Sequence, residues 1–69
     1  MGSIGTRLRD ARTDKGLRQK DLAKKLGVGQ TAVSHWENES RELTASQIVK
    51  ICLTLRITPN RLFSWKDEL

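Results

Sequence analysis

The sequence predicts an all-α domain. Apolar positions recur at helical spacing in five short segments, those segments are separated by glycine, proline or capping residues, and no stretch alternates like a strand between hairpin turns. With 69 residues there is room for one domain and one core. A chain this short buries only about 60% of its unfolded surface.

The first segment, 4–15, sets Ile4, Leu8, Ala11 and Arg12 on one face, with Ser3 as N-cap and Gly16 as stop. The second, 19–26, buries Leu22, Ala23 and Leu26, carries Asp21 in its first turn and stops at Gly27. The third, 30–37, starts from Gly29 and turns Val33 and Trp36 inward. The fourth, 45–55, has the clearest start: Thr44 and Gln47 form a capping box ahead of an Ile48, Ile51, Cys52, Leu55 stripe. The fifth is short, with Thr58 as cap, Pro59 at the first helical position, and Leu62 and Phe63 packing back.

Thirteen basic against eight acidic residues give a net charge of +5, and all of the excess lies in residues 1–25. That asymmetry suits an anionic partner, nucleic acid or membrane surface, and equally a solvated helix face. No apolar run approaches the ~20 residues of a membrane span, and the first segment needs its apolar face for the core. With no signal-peptide core and a lone Cys52, a reducing, cytoplasmic setting is expected. Lys66-Asp67-Glu68-Leu69 spells a retention signal of the secretory path, read here as coincidence because nothing directs entry to that path. His35 and Cys52 stand alone, and no metal-ligand cluster, phosphate loop or carboxylate pair is found. Neither an enzyme nor a cofactor nor a small-molecule ligand is therefore expected.

The informative stretch is 19–38. Two short helices joined by a three- or four-residue turn make a helix-turn-helix. Ala23 is small where the second helix must approach, Gly27 suits a left-handed exit, and Val28 is expected to plug the turn into the core. Val33 and Trp36 then anchor the second helix, leaving Gln30, Thr31, Ser34 and His35 outward. A merely solvated helix favours Glu, Lys and Arg. Uncharged hydrogen-bonding side chains of moderate length instead suit base edges: Gln pairs with adenine through two bonds and Thr meets the thymine methyl.

The chain resembles the phage-repressor (Xre/Cro, lambda-repressor-like) helix-turn-helix family over 4–63. The matching pieces are Ile4-Gly5-x-x-Leu8-Arg9-x-x-Arg12, Gly16-Leu17-x-Gln19-x-x-Leu22-Ala23, Leu26-Gly27-Val28, Val33-Ser34-x-Trp36-Glu37-Asn38 and Leu55-x-Ile57-Thr58-Pro59-x-x-Leu62. The resemblance implies a compact five-helix domain and sequence-specific binding of double-stranded DNA by a transcriptional regulator, a repressor in the first reading, at a palindromic operator. It implies base reading at Gln30, Thr31 and His35 with Ser34 alongside, and phosphate contact at Gln19. It also implies an Arg12–Glu37 ion pair tying the first helix to the end of the recognition helix.

Three departures from the family pattern stand out. Arg18 replaces the small polar N-cap, so the second helix is expected to start weakly or to lend its guanidinium to phosphate. Gly29 lacks a side-chain cap. Glu39 replaces a glycine, so Asn38 is expected to take the left-handed conformation, and Glu39 and Glu42 suit a phosphate-facing loop poorly. The phosphate candidates are Arg9, Arg18, Gln19, Lys20 and Arg41, with the amides near Thr44 and Ala45. A homodimer, at least on DNA, is expected through Thr58, Arg61, Leu62 and Trp65. The rival class is an antitoxin or adaptor whose main ligand is a protein.

Overall fold

Ser3 opens the first helix: its hydroxyl accepts the Thr6 amide at 3.2 Å, and the chain runs helical over α1 (Ile4–Asp14). A computed structural model describes residues 3–63. After α1 the backbone turns at Gly16, whose φ of +74° suits glycine, and Leu17 N–H reaches back to the Arg12 carbonyl.

The helix-turn-helix follows as α2 (Gln19–Leu26) and α3 (Gln30–Glu37). The start of α2 is stronger than the sequence reading allowed. Arg18 has no acceptor to offer, but its own N–H donates to the Asp21 carboxylate at 2.9 Å and its Nε adds a second bond at 3.1 Å. Asp21 thus supplies the reciprocal half of a capping box and sits at the positive end of the helix dipole. Gly27 takes φ +73°, and the Val28 amide closes on the Ala23 carbonyl. The Val28 side chain corrects its expected role. It remains 37% exposed rather than filling the turn, because the Gly27–Gly29 turn lies at the surface.

α4 (Ala45–Leu55) begins with both bonds of its capping box, Thr44 N–H to Gln47 Oε1 at 2.8 Å and Gln47 N–H to Thr44 Oγ1 at 3.2 Å. It ends at Arg56, left-handed at φ 58°. The expected fifth helix is corrected: among the described residues the structure has four α-helices, and Pro59–Arg61 is a single 3-10 turn. Thr58 and Pro59 provide a start, but a turn this short lacks the hydrogen-bonded length that sustains an α-helix.

Leu8 and Ala11 of α1, Leu22, Ala23 and Leu26 of α2, Val33 and Trp36 of α3, and Ile51, Cys52 and Leu55 of α4 form one buried cluster. α2 packs chiefly on α3, α1 also on α3, and α4 on α2. Leu62 completes the core at 1% exposure, which removes it from the expected dimer contact. α1 meets the end of α3 backbone to backbone at Gly5, where a Cβ would stand 2.6 Å from the carbonyl oxygens of Trp36 and Glu37.

Candidate nucleic-acid interface

Burial of Val33 and Trp36 fixes which edge of α3 is left to solvent. Gln30 and Thr31 on its first turn are exposed, whereas Ser34 and His35 are half-buried. The four expected base readers therefore differ in reach. The first two offer more of their side chains to solvent than the second two.

A polar cluster holds this edge from behind. Arg12 meets Glu37 through two parallel bonds, Nε to Oε2 at 2.6 Å and Nη2 to Oε1 at 3.1 Å, with their side chains 9% and 4% exposed. Glu37 Oε1 also accepts Gln19 Nε2–H at 3.1 Å, and Arg12 Nη1 donates to the Leu17 carbonyl at 2.7 Å. Desolvating two charges is costly, and the fork geometry with these extra partners offsets that cost. One guanidinium so ties α1, the loop before α2 and the end of α3 together. Gln19 then passes the contact forward: its Oε1 lies 3.5 Å from Gln30 Nε2, long for a hydrogen bond but near enough to orient the side chain.

The expected phosphate residues differ in exposure. Arg9, Lys20, Arg41, Thr44 and Ala45 are exposed, and Gln19 is half-buried against Glu37. Arg18 is exposed but spends its Nε on Asp21. The hydrogen bond from the Arg18 amide, followed by that from its guanidinium, holds the Asp21 carboxyl below the ordinary aspartate range. Asp21 in the first turn is legible from the sequence as a complement to the helix dipole; that it also accepts the Arg18 amide follows from the three-residue spacing of a capping box.

The loop after α3 departs from expectation at its first two residues. Asn38 keeps φ −96° and Glu39 is the left-handed residue at φ 67°. Asn38 Oδ1 accepts the Ser40 amide at 2.9 Å, and Ser40 and Arg41 both donate to the His35 carbonyl, so the turn tightens one residue later. The Glu39 carboxylate reaches across to accept the Gly5 amide at 2.5 Å. On the opposite flank Arg61 pairs with Asp14 at 3.0 Å, while Thr58 is exposed. Trp65 lies outside the described residues. Large apolar side chains do stand exposed elsewhere: Val49 at 56% and Leu53 at 74%, four apart on α4.

Among the described residues no group of three or more His, Cys, Asp or Glu could hold a metal ion, and no helix is long and apolar enough to cross a membrane. A family model described as helix-turn-helix matches residues 8–62. The chain belongs to the Xre/lambda-repressor-like helix-turn-helix family. Among curated proteins this family member is 31% identical over 67 residues to the HTH-type transcriptional regulator ImmR of Bacillus subtilis (strain 168). The match covers 97% of this chain and 52% of ImmR, so the chain spans about half the length of that relative. Among solved structures it superposes on the restriction-modification controller protein C.AhdI from Aeromonas hydrophila with a TM-score of 0.81 and 38% identity, covering 87% of this chain and 91% of that one. The P22 c2 repressor, solved with a synthetic operator, gives a TM-score of 0.81 and 29% identity over 90% of this chain and 94% of its own.

Proposed function

We propose that this chain is a sequence-specific double-stranded DNA-binding transcriptional regulator, a repressor in the first reading, which lays α3 in the major groove of a palindromic operator. The observation that carries the reading is the uncharged edge of α3, with Gln30 and Thr31 exposed, backed by the buried Arg12–Glu37 pair and the half-buried Gln19. The likeness to a repressor solved with its operator supports it.

Gln30 and Thr31 read bases, with a Gln–adenine pair worth about 1–3 kcal/mol of discrimination. Ser34 and His35 stand alongside within the groove. Arg9, Arg18, Gln19, Lys20 and Arg41, with the amides near Thr44 and Ala45, position the domain on phosphate. No cofactor takes part, and the setting is the cytoplasm of a bacterial or phage-infected cell.

One recognition helix reads too few base pairs to find one site in a genome, so the domain acts as a homodimer on half-sites one helical turn apart. With Leu62 in the core, Val49 and Leu53 together with Thr58 supply the contact with the second copy. Random-site selection followed by footprinting tests the whole reading. A two-fold consensus is expected. Recovery of no preferred sequence, together with a stoichiometric protein partner in a pull-down, would replace it with the adaptor reading.

A further inference from the structure

An acidic residue in a loop that faces phosphate should repel the ligand, and Glu39 sits two residues before the basic candidate of that loop, Arg41. The structure gives Glu39 a different task. It occupies the left-handed region at φ 67°, a conformation disfavoured for a residue with a Cβ, and it spends its carboxylate inward on the Gly5 amide. Gly5 lies in the first turn of α1, which has no acidic residue of its own, and the Ser3 hydroxyl there serves Thr6 rather than Gly5. The carboxylate thus satisfies an amide that α1 leaves without an intrahelical acceptor, at the positive end of that helix. The same contact fastens the loop across the point where α1 touches the end of α3.

We propose that Glu39 is a positioning residue of the DNA-contact surface: its bond to α1 holds the loop 38–43 so that Arg41 faces phosphate. The proposal rests on the DNA-binding reading and adds to it how the phosphate-facing loop is fixed. Arg41 makes the contact. Glu39 acts only through it.

Plain electrostatics and this proposal predict opposite signs, which makes the test sharp. Glu39→Gly deletes a negative charge near DNA and frees the backbone from its disfavoured φ, so charge alone would tighten binding. The positioning role predicts instead about tenfold weaker binding to a mixed-sequence duplex and a salt slope lower by about one. Arg41→Ala should match both changes, and the double variant should lose no more than either single one. Glu39→Gln, which keeps an acceptor oxygen, should recover much of the affinity. Without DNA, the Gly5 amide should exchange slowly with solvent in the parent and rapidly in Glu39→Gly. Equal or tighter binding by Glu39→Gly, additive losses in the double variant, or unchanged Gly5 exchange overturns the proposal while leaving DNA binding intact. A parent chain that binds no duplex sinks the DNA reading and this proposal with it.

Discussion

Arg12 uses its guanidinium wholly inside the protein, on Glu37 and on the Leu17 carbonyl, whereas Arg9, one turn earlier on the same helix, is exposed. Removing one partner of a buried pair leaves the other charge unmatched, so Arg12→Ala should cost about 3–5 kcal/mol while Arg9→Ala changes stability little. Urea denaturation of the two variants checks this, and equal midpoints would remove the pair from the account of stability. Contact class can be separated at the same scale. Gln30→Ala should relax preference at one base position per half-site, and Arg41→Ala should weaken all sites alike and reduce the salt dependence. A panel of sites at two salt concentrations distinguishes them; identical behaviour would mean the two side chains are wrongly sorted. Single residues are also where the sequence was least legible. The left-handed position falls on Glu39 rather than Asn38, at the place where the resembled family carries glycine, while Asn38 closes a side-chain turn onto Ser40. Val28 reads as core by its chemistry, yet a turn flanked by two glycines stands too far out to bury it.

Helices were far more legible than their connections. The bounds of α2, α3 and α4 coincide with those read from apolar spacing and punctuation, Gly27 closing α2, Gly29 preceding α3 and the Thr44–Gln47 box opening α4. The last segment had a start signal at Thr58 and Pro59, and among the described residues it folds as one 3-10 turn. At α2 a cap that looked absent is provided by Asp21, and this makes a prediction about pH. The folded state lowers the Asp21 pKa, so its contribution to stability is present above the unfolded value near ~3.9 and is lost as pH falls through the lowered folded value. Asp21→Asn should therefore melt below the parent at neutral pH, with the difference closing in more acid solution. A difference that persists at the acid end would point to the side-chain shape rather than the charge. Gly5→Ala tests the contact between α1 and the end of α3: backbone oxygens 2.6 Å from the new Cβ cannot rotate away, so a loss of about 1–3 kcal/mol is expected in thermal melts.

At the scale of the molecule, the core reaches from α1 to Leu62, so that one side chain of the expected pairing segment is occupied with holding the domain together, while Thr58 and Arg61 stay exposed. This redirects the search for the dimer surface to α4, where Leu53→Glu should abolish cooperative filling of a two-half-site operator yet leave affinity for one half-site unchanged. Gel-shift titrations on both duplexes read this directly, and unaltered cooperativity would send the contact elsewhere. The run of side chains from Gln30 through Gln19 to Glu37 and Arg12 has a practical corollary for anyone retargeting the domain. Recognition and stability share these side chains. A library that diversifies position 30 alone should yield few new specificities, since each replacement must still seat against an unchanged Gln19. Randomising 19 and 30 together should open more of them, at the expense of clones that unfold when Glu37 loses its amide donor.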